Sequence, residues 1–177
     1  MSTHLGQIPQ NHVVLELVGG LKGGYGPNNL DWVRNLPDGT RENGSGPGGQ
    51  FRVPIGSMLV ITDVDWQYES TASQPGTMQI FRLFVVSLAS TGPGFDPGLR
   101  VFESAVVLGP FSNGGASVAM TAGFVVSSNA RIGVDVFPGP EGPPGGIQHA
   151  ILRGYVTPSQ PSLWCRLFGC PPVATGA

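Results

Sequence analysis

The chain has 177 residues, of which 11% are charged, and a formal net charge of −2. That length supports one domain with a buried core. No basic patch or stripe is present to meet nucleic acid, and no apolar run approaches the ~18–20 residues that span a membrane. The 28 glycines and 17 prolines are about a quarter of the chain, a proportion near that of low-complexity sequence. Yet 40% of the residues are hydrophobic and they gather in runs, which a disordered chain lacks. Glycine and proline used as punctuation between short apolar runs mark an all-β domain. Of the nine basic residues only Lys22 is a lysine. A surface so poor in charge is weakly protected against association, so neighbouring copies are expected to cover much of it.

Residues 1–11 are polar, carry the breaker Pro9 and form an N-terminal arm. They have neither a basic n-region nor an apolar h-region, so no secretory signal is read there. The chain is expected as a soluble cytoplasmic product, released or particle-associated only through lysis or a dedicated machine. The sandwich domain is expected over 12–157. Its first strand runs from His12 to Val18, with Val13, Leu15 and Leu17 on one side. Residues 19–50 are a long, glycine-rich loop, and a structureless loop of that length is suspect inside a compact domain. Either it serves an interface or it hides one more strand. The stretch from Leu30 to Leu36 inside it, with Trp32, fits a short strand or a helical turn.

Phe51 to Tyr68 is the organising strand, kinked near Pro54 and Gly56. Alternation puts Val60, Thr62, Val64, Trp66 and Tyr68 on one face, read as core. Leu59, Ile61, Asp63, Asp65 and Gln67 share the other. Met78 to Leu88 is apolar on both faces, with Ile80, Phe84, Val86 and Leu88 on one and Phe81, Leu83 and Val85 on the other. Its β-branched and aromatic content favours a strand over a helix. Antiparallel strands usually keep one wet face, so a second cover is expected from a long loop or another subunit. Phe81, Leu83 and Val85 are the interface candidates. Arg82 interrupts this strand and calls for a carboxylate partner, supplied by Asp63, Asp65 or Glu103.

Further strands are read over Arg100 to Leu108, Ser117 to Ala122, Phe124 to Val126 (a break at Gly123 separating the last two), Arg131 to Phe137 and Gln148 to Thr157. About eight short strands suit a two-sheet antiparallel jelly roll. An immunoglobulin-like sandwich is the alternative, although its Cys…Trp…Cys spacing is missing. Residues 158–177 form a distinct tail whose Trp164, Leu167 and Phe168 are expected on the body or on a neighbour. Cys165 and Cys170 are too few for a structural zinc site. Gly169 and the adjacent prolines permit a tight return, so a local disulfide is expected in an oxidising setting and free thiols otherwise.

Candidate chemistry is sparse. The three histidines form no His-x-His cluster of the metal-cupin kind. Asp63 and Asp65 share a strand face and suit half of a calcium site or an acid pair. A nucleophile elbow and a phosphate loop are both missing, and no cofactor is expected. The strand pattern resembles in architecture the trimeric jelly rolls of viral and phage fibres and of tumour-necrosis-factor-like domains. That resemblance implies a non-enzymatic, self-assembling structural or binding module, with three copies favoured and a glycan or protein receptor as a further partner. Two alternatives remain open. One is a carbohydrate-binding module stacking sugars on Tyr25, Trp32 and Tyr155. The other is a small acid/base enzyme using Asp63, Asp65 or Asp135, for which His149 beside the aspartates would be the mark.

Overall fold

The computed structural model describes residues 11–18, 31–42, 51–71, 73–88, 98–138 and 147–159. All eight elements in them are strands: β1 (His12–Val18), β2 (Asp31–Asn35), β3 (Ser57–Glu69), β4 (Met78–Ser87), β5 (Leu99–Val107), β6 (Asn113–Ser127), β7 (Ala130–Pro138) and β8 (Ile147–Pro158). They form a five-stranded sheet of order β2-β1-β8-β3-β6 and a three-stranded sheet of order β5-β4-β7, with every neighbouring pair antiparallel. One apolar cluster drawn from both sheets fills the space between them. The protein is a β-sandwich.

Its strand order is that of a jelly roll with one strand displaced. Rolling up a long hairpin of eight strands pairs β1 with β8, β2 with β7, β3 with β6 and β4 with β5. Three of these pairs are present, and β2 stays beside β1 instead of crossing to β7. Antiparallel pairing of the first and last strands is foreign to the ABED/CFG order of the immunoglobulin sandwich. The loop expected over 19–50 holds β2, which places Trp32 in the core opposite Leu17. The break expected at Gly123 is instead an irregularity within β6. Among the described residues no helix is long and apolar enough to cross a membrane.

β3 starts after a turn in which the Ser57 amide donates to the Pro54 carbonyl at 3.0 Å. Gly56 adopts φ +77° there, a conformation that side chains disfavour. The face read as core along β3 is right only in its second half. Leu59 and Ile61 point into the core before Thr62; Val64, Trp66 and Tyr68 do so after it. The reason is a bulge. From Ile61 to Asp63 the strand advances two residues while β8 advances one, from Gly154 to Arg153. One extra residue reverses the side-chain alternation. Val60 therefore lies on the outer face, level with Tyr155 and Val125.

Two glycines make room for this bulge. A Cβ on Gly154 of β8 would run into the Val60 carbonyl, and one on Gly123 of β6 would run into the Ile61 carbonyl. Gly123 also has φ +68°. Between Ala119 and Phe124, β6 inserts the irregular residues opposite Thr62. The sequence signal for this arrangement is glycine inside an apolar strand.

Trp66 of β3 stacks on Phe81 of β4, with ring centroids 5.2 Å apart and planes 15° from parallel. Phe102 of β5 meets Phe81 edge-on at 6.4 Å. The ring of Tyr68 is buried too, and its hydroxyl hydrogen-bonds Ser73 Oγ at 2.7 Å. Replacing Trp66 with Ala is expected to cost ~3–5 kcal/mol, read from urea denaturation; an unchanged midpoint contradicts its place in the core. Gly154→Ala should cost at least ~1–3 kcal/mol through crowding of the bulge, measured the same way, whereas alanine is ordinarily harmless or favourable in a strand that held glycine.

Candidate functional site

The outer face of the three-stranded sheet follows from the alternation of β4. Phe81 and Leu83 turn inward and have no exposed surface; Val85 packs partly buried against the same core. The expectation of an interface built on Phe81, Leu83 and Val85 is therefore corrected. The sandwich interior takes that whole face, which leaves a partner only the opposite one. Ile80, Arg82 and Phe84 lie there, half-buried. Across the sheet the strands line up in rungs: Ala105–Ile80–Phe137, then Glu103–Arg82–Asp135, then Arg100–Phe84–Gly133, with Met78 beside Val107 at one end. A charged rung thus crosses a mainly apolar face. Val107 is 67% exposed and Phe137 48%.

Arg82 Nε donates to Glu103 Oε2 at 2.7 Å, and Arg100 Nη1 donates to the same oxygen at 2.9 Å. The Arg82 guanidinium also lies over the Phe137 ring, 4.8 Å from its centre, a favourable placement of a cation on an aromatic face. These donors, the Arg82 hydrogen bond first, hold the Glu103 carboxyl below the usual glutamate range. Of the three partners expected for Arg82, Glu103 is the one in contact. Asp63 and Asp65 belong to the other sheet, and the guanidinium lies on an outer face, where it is 22% exposed, rather than in the core.

The outer face of the five-stranded sheet carries further charges. Asp65 Oδ1 lies 3.6 Å from His149 Nε2, and Asp65 Oδ2 lies 3.9 Å from Arg153 Nη2. Asp63 accepts a 2.6 Å hydrogen bond from the Thr62 hydroxyl. On β1, Glu16 accepts hydrogen bonds from Asn35 at 3.1 Å and Arg41 at 3.0 Å. These lower its carboxyl pKa, the Asn35 bond most. Asp135 sits across the sandwich, on the rung of Arg82. Asp63 and Asp65 thus keep to one outer face, with His149 beside Asp65, whereas Asp135 faces the opposite way. Among the described residues no three His, Cys, Asp or Glu side chains come together to hold a metal.

Of the aromatics considered for sugar stacking, Trp32 is 2% exposed and serves the core, so it offers no ring to a ligand. Tyr155 is 38% exposed, on β8 beside His12 and Val60. Tyr25, Trp164, Leu167, Phe168, Cys165 and Cys170 lie outside the described residues. The exposed apolar rungs escape a reading of the sequence that treats both faces of β4 alike. One signal was available: Arg82 shares its alternation with Ile80 and Phe84, and a charged side chain marks the wet face. The chain matches no protein-family model and no curated protein in sequence.

The Glu103 contact has a pH signature. A lowered pKa in the folded chain favours the fold above the ordinary glutamate range, and that contribution is lost as pH falls through the folded value. In a carboxyl-carbon NMR titration Glu103 should titrate below the ordinary glutamate range. Arg82→Gln should move it part of the way back, since Arg100 still reaches it. An unchanged titration would show that Arg82 is not its main partner.

Proposed function

We propose that this protein is a non-enzymatic structural module that associates with copies of itself through the outer face of the three-stranded sheet. The supporting observation is the exposed apolar surface of that face, where Phe137 and Val107 flank Ile80 and Phe84 around one internally paired charge rung. A contiguous apolar patch on a soluble chain marks an interaction site. The pairing of Arg82 with Glu103 leaves less unbalanced charge to desolvate when a partner covers it.

The sheet edges favour this face over edge-to-edge growth. β5 and β7 each carry charges of both signs, namely Arg100 and Glu103, and Arg131 and Asp135, and β2 carries Arg34. The fourth edge, β6, is interrupted by its bulge. Charges and bulges are the usual guards against strand addition. The low overall charge supports association in the same direction. Three copies, arranged as in the trimeric jelly rolls that the strand pattern resembles, are the favoured number, and a surface or particle assembly the favoured setting. A standard interface of ~1,600 Å² in total would require most of this face.

Light scattering tests the proposal. The wild type at micromolar concentration should show a multiple of 18.4 kDa. Phe137→Asp, which replaces an exposed ring of the patch with a carboxylate without touching the core, should return the mass to that of one chain. A wild-type mass of 18.4 kDa overturns the reading.

A further inference from the structure

On the opposite side of the sandwich, the outer face of the five-stranded sheet opens into a groove of about 600 Å³ along the β3–β6 ladder, within the ~300–1,000 Å³ range of small-molecule sites. Two local features create it. Gly115 stands opposite Gln67 and has no side chain to fill the space above the ladder; a Cβ there would press on the Trp66 carbonyl at 2.6 Å. β8 also carries an extra residue between its pairings with Gln67 and Tyr68. This second bulge turns Gln148 out to the rim, where its Nε2 donates to the Glu69 carbonyl at 3.4 Å.

The lining is chemically narrow. Its outward side chains are Asp65, Gln67, Glu69, Asn113, Ser117 and Gln148. No cation is among them, so the groove offers nothing to a phosphate or another anion. Trp66 and Tyr68 reach it without their rings, which are buried in the core, so an apolar ligand finds little surface. Three amides and one hydroxyl both donate and accept hydrogen bonds, while two carboxylates accept. His149 and Arg153 stand 3.6 and 3.9 Å from Asp65, beyond hydrogen-bond length, so its oxygens keep accepting capacity. Groups that donate and accept at every position, as adjacent hydroxyls do, match such a lining.

We propose that this groove binds a neutral saccharide. The site is independent of self-association, because it lies on the other sheet and uses none of the same residues. It also differs from a stacking site, since hydrogen bonds to Asp65, Gln67, Asn113 and Ser117 replace the ring platform expected of Trp32.

The full chain is applied to an array of neutral oligosaccharides built from glucose, galactose, mannose and N-acetylhexosamines, with sialylated and sulfated chains as the anionic arm. Binding confined to neutral chains is expected. The tightest binder is then titrated by calorimetry against the wild type and three variants. Asp65→Ala and, on the neighbouring strand, Ser117→Phe should each raise Kd at least about tenfold. Both positions face solvent at least in part, and retained thermal unfolding confirms that each variant folds. Phe137→Asp, on the opposite sheet, should leave Kd unchanged even where it alters the mass of the assembly. No neutral binder on the array, preference for the anionic arm, or equal Kd for Asp65→Ala and Ser117→Phe overturns the proposal.

Discussion

Among the described residues, the aromatic contact between the two sheets is that of Trp66 of β3 against Phe81 of β4, at the centre of their shared apolar core. Both residues are fully buried, and each lies on the central portion of a strand flanked on both sides, β3 by β8 and β6, β4 by β5 and β7. Rings stacked with an offset gain on the order of 0.5–1.5 kcal/mol beyond the area they bury. Their larger effect here is geometric. With Trp66 and Phe81 facing each other, the inward face of each strand is set. The register of the neighbouring strands then determines which side chains remain outside. The exposed Phe137 and the paired Arg82 on the outer face of the three-stranded sheet follow from this one contact.

Much of the architecture was legible in the sequence. Strand positions were readable because glycine and proline clusters bracket nearly every apolar run, and the ends of β1, β4, β5, β7 and β8 fall within a residue or two of the expected limits. β2 was harder. Five residues around Trp32 satisfy helical and extended spacing alike, and only pairing with β1 decides between them. The core face of β3 was half legible, since alternation assumes an unbroken ladder and Thr62 breaks it. The consequence is visible in Leu59 and Ile61, which alternation places on the acidic face yet which are fully buried.

The candidate surfaces were less legible, for a physical reason. A strand apolar on both sides does not reveal which side the rest of the chain will claim. Phe81, Leu83 and Val85 present as much apolar area in the sequence as Ile80, Phe84 and Val86, so only Arg82, in phase with the second set, tells the two faces apart before Trp66 arrives from the other sheet. The groove has a different origin. It depends on a side chain that is missing, at Gly115, and on a one-residue offset in β8. Neither leaves a motif. Asp65 and His149 could be expected on one face, but not the register that sets them 3.6 Å apart.

The bulge at Thr62 also governs how this chain can change over generations. Three strands share it: an added residue on β3, a glycine on β8 and a left-handed glycine on β6. Deleting the added residue alone would invert one half of β3 and expose Trp66. Filling either glycine alone would press on a backbone that the bulge still occupies. The three positions therefore form one inherited unit, in which the cost of a first change depends on whether the others have already occurred.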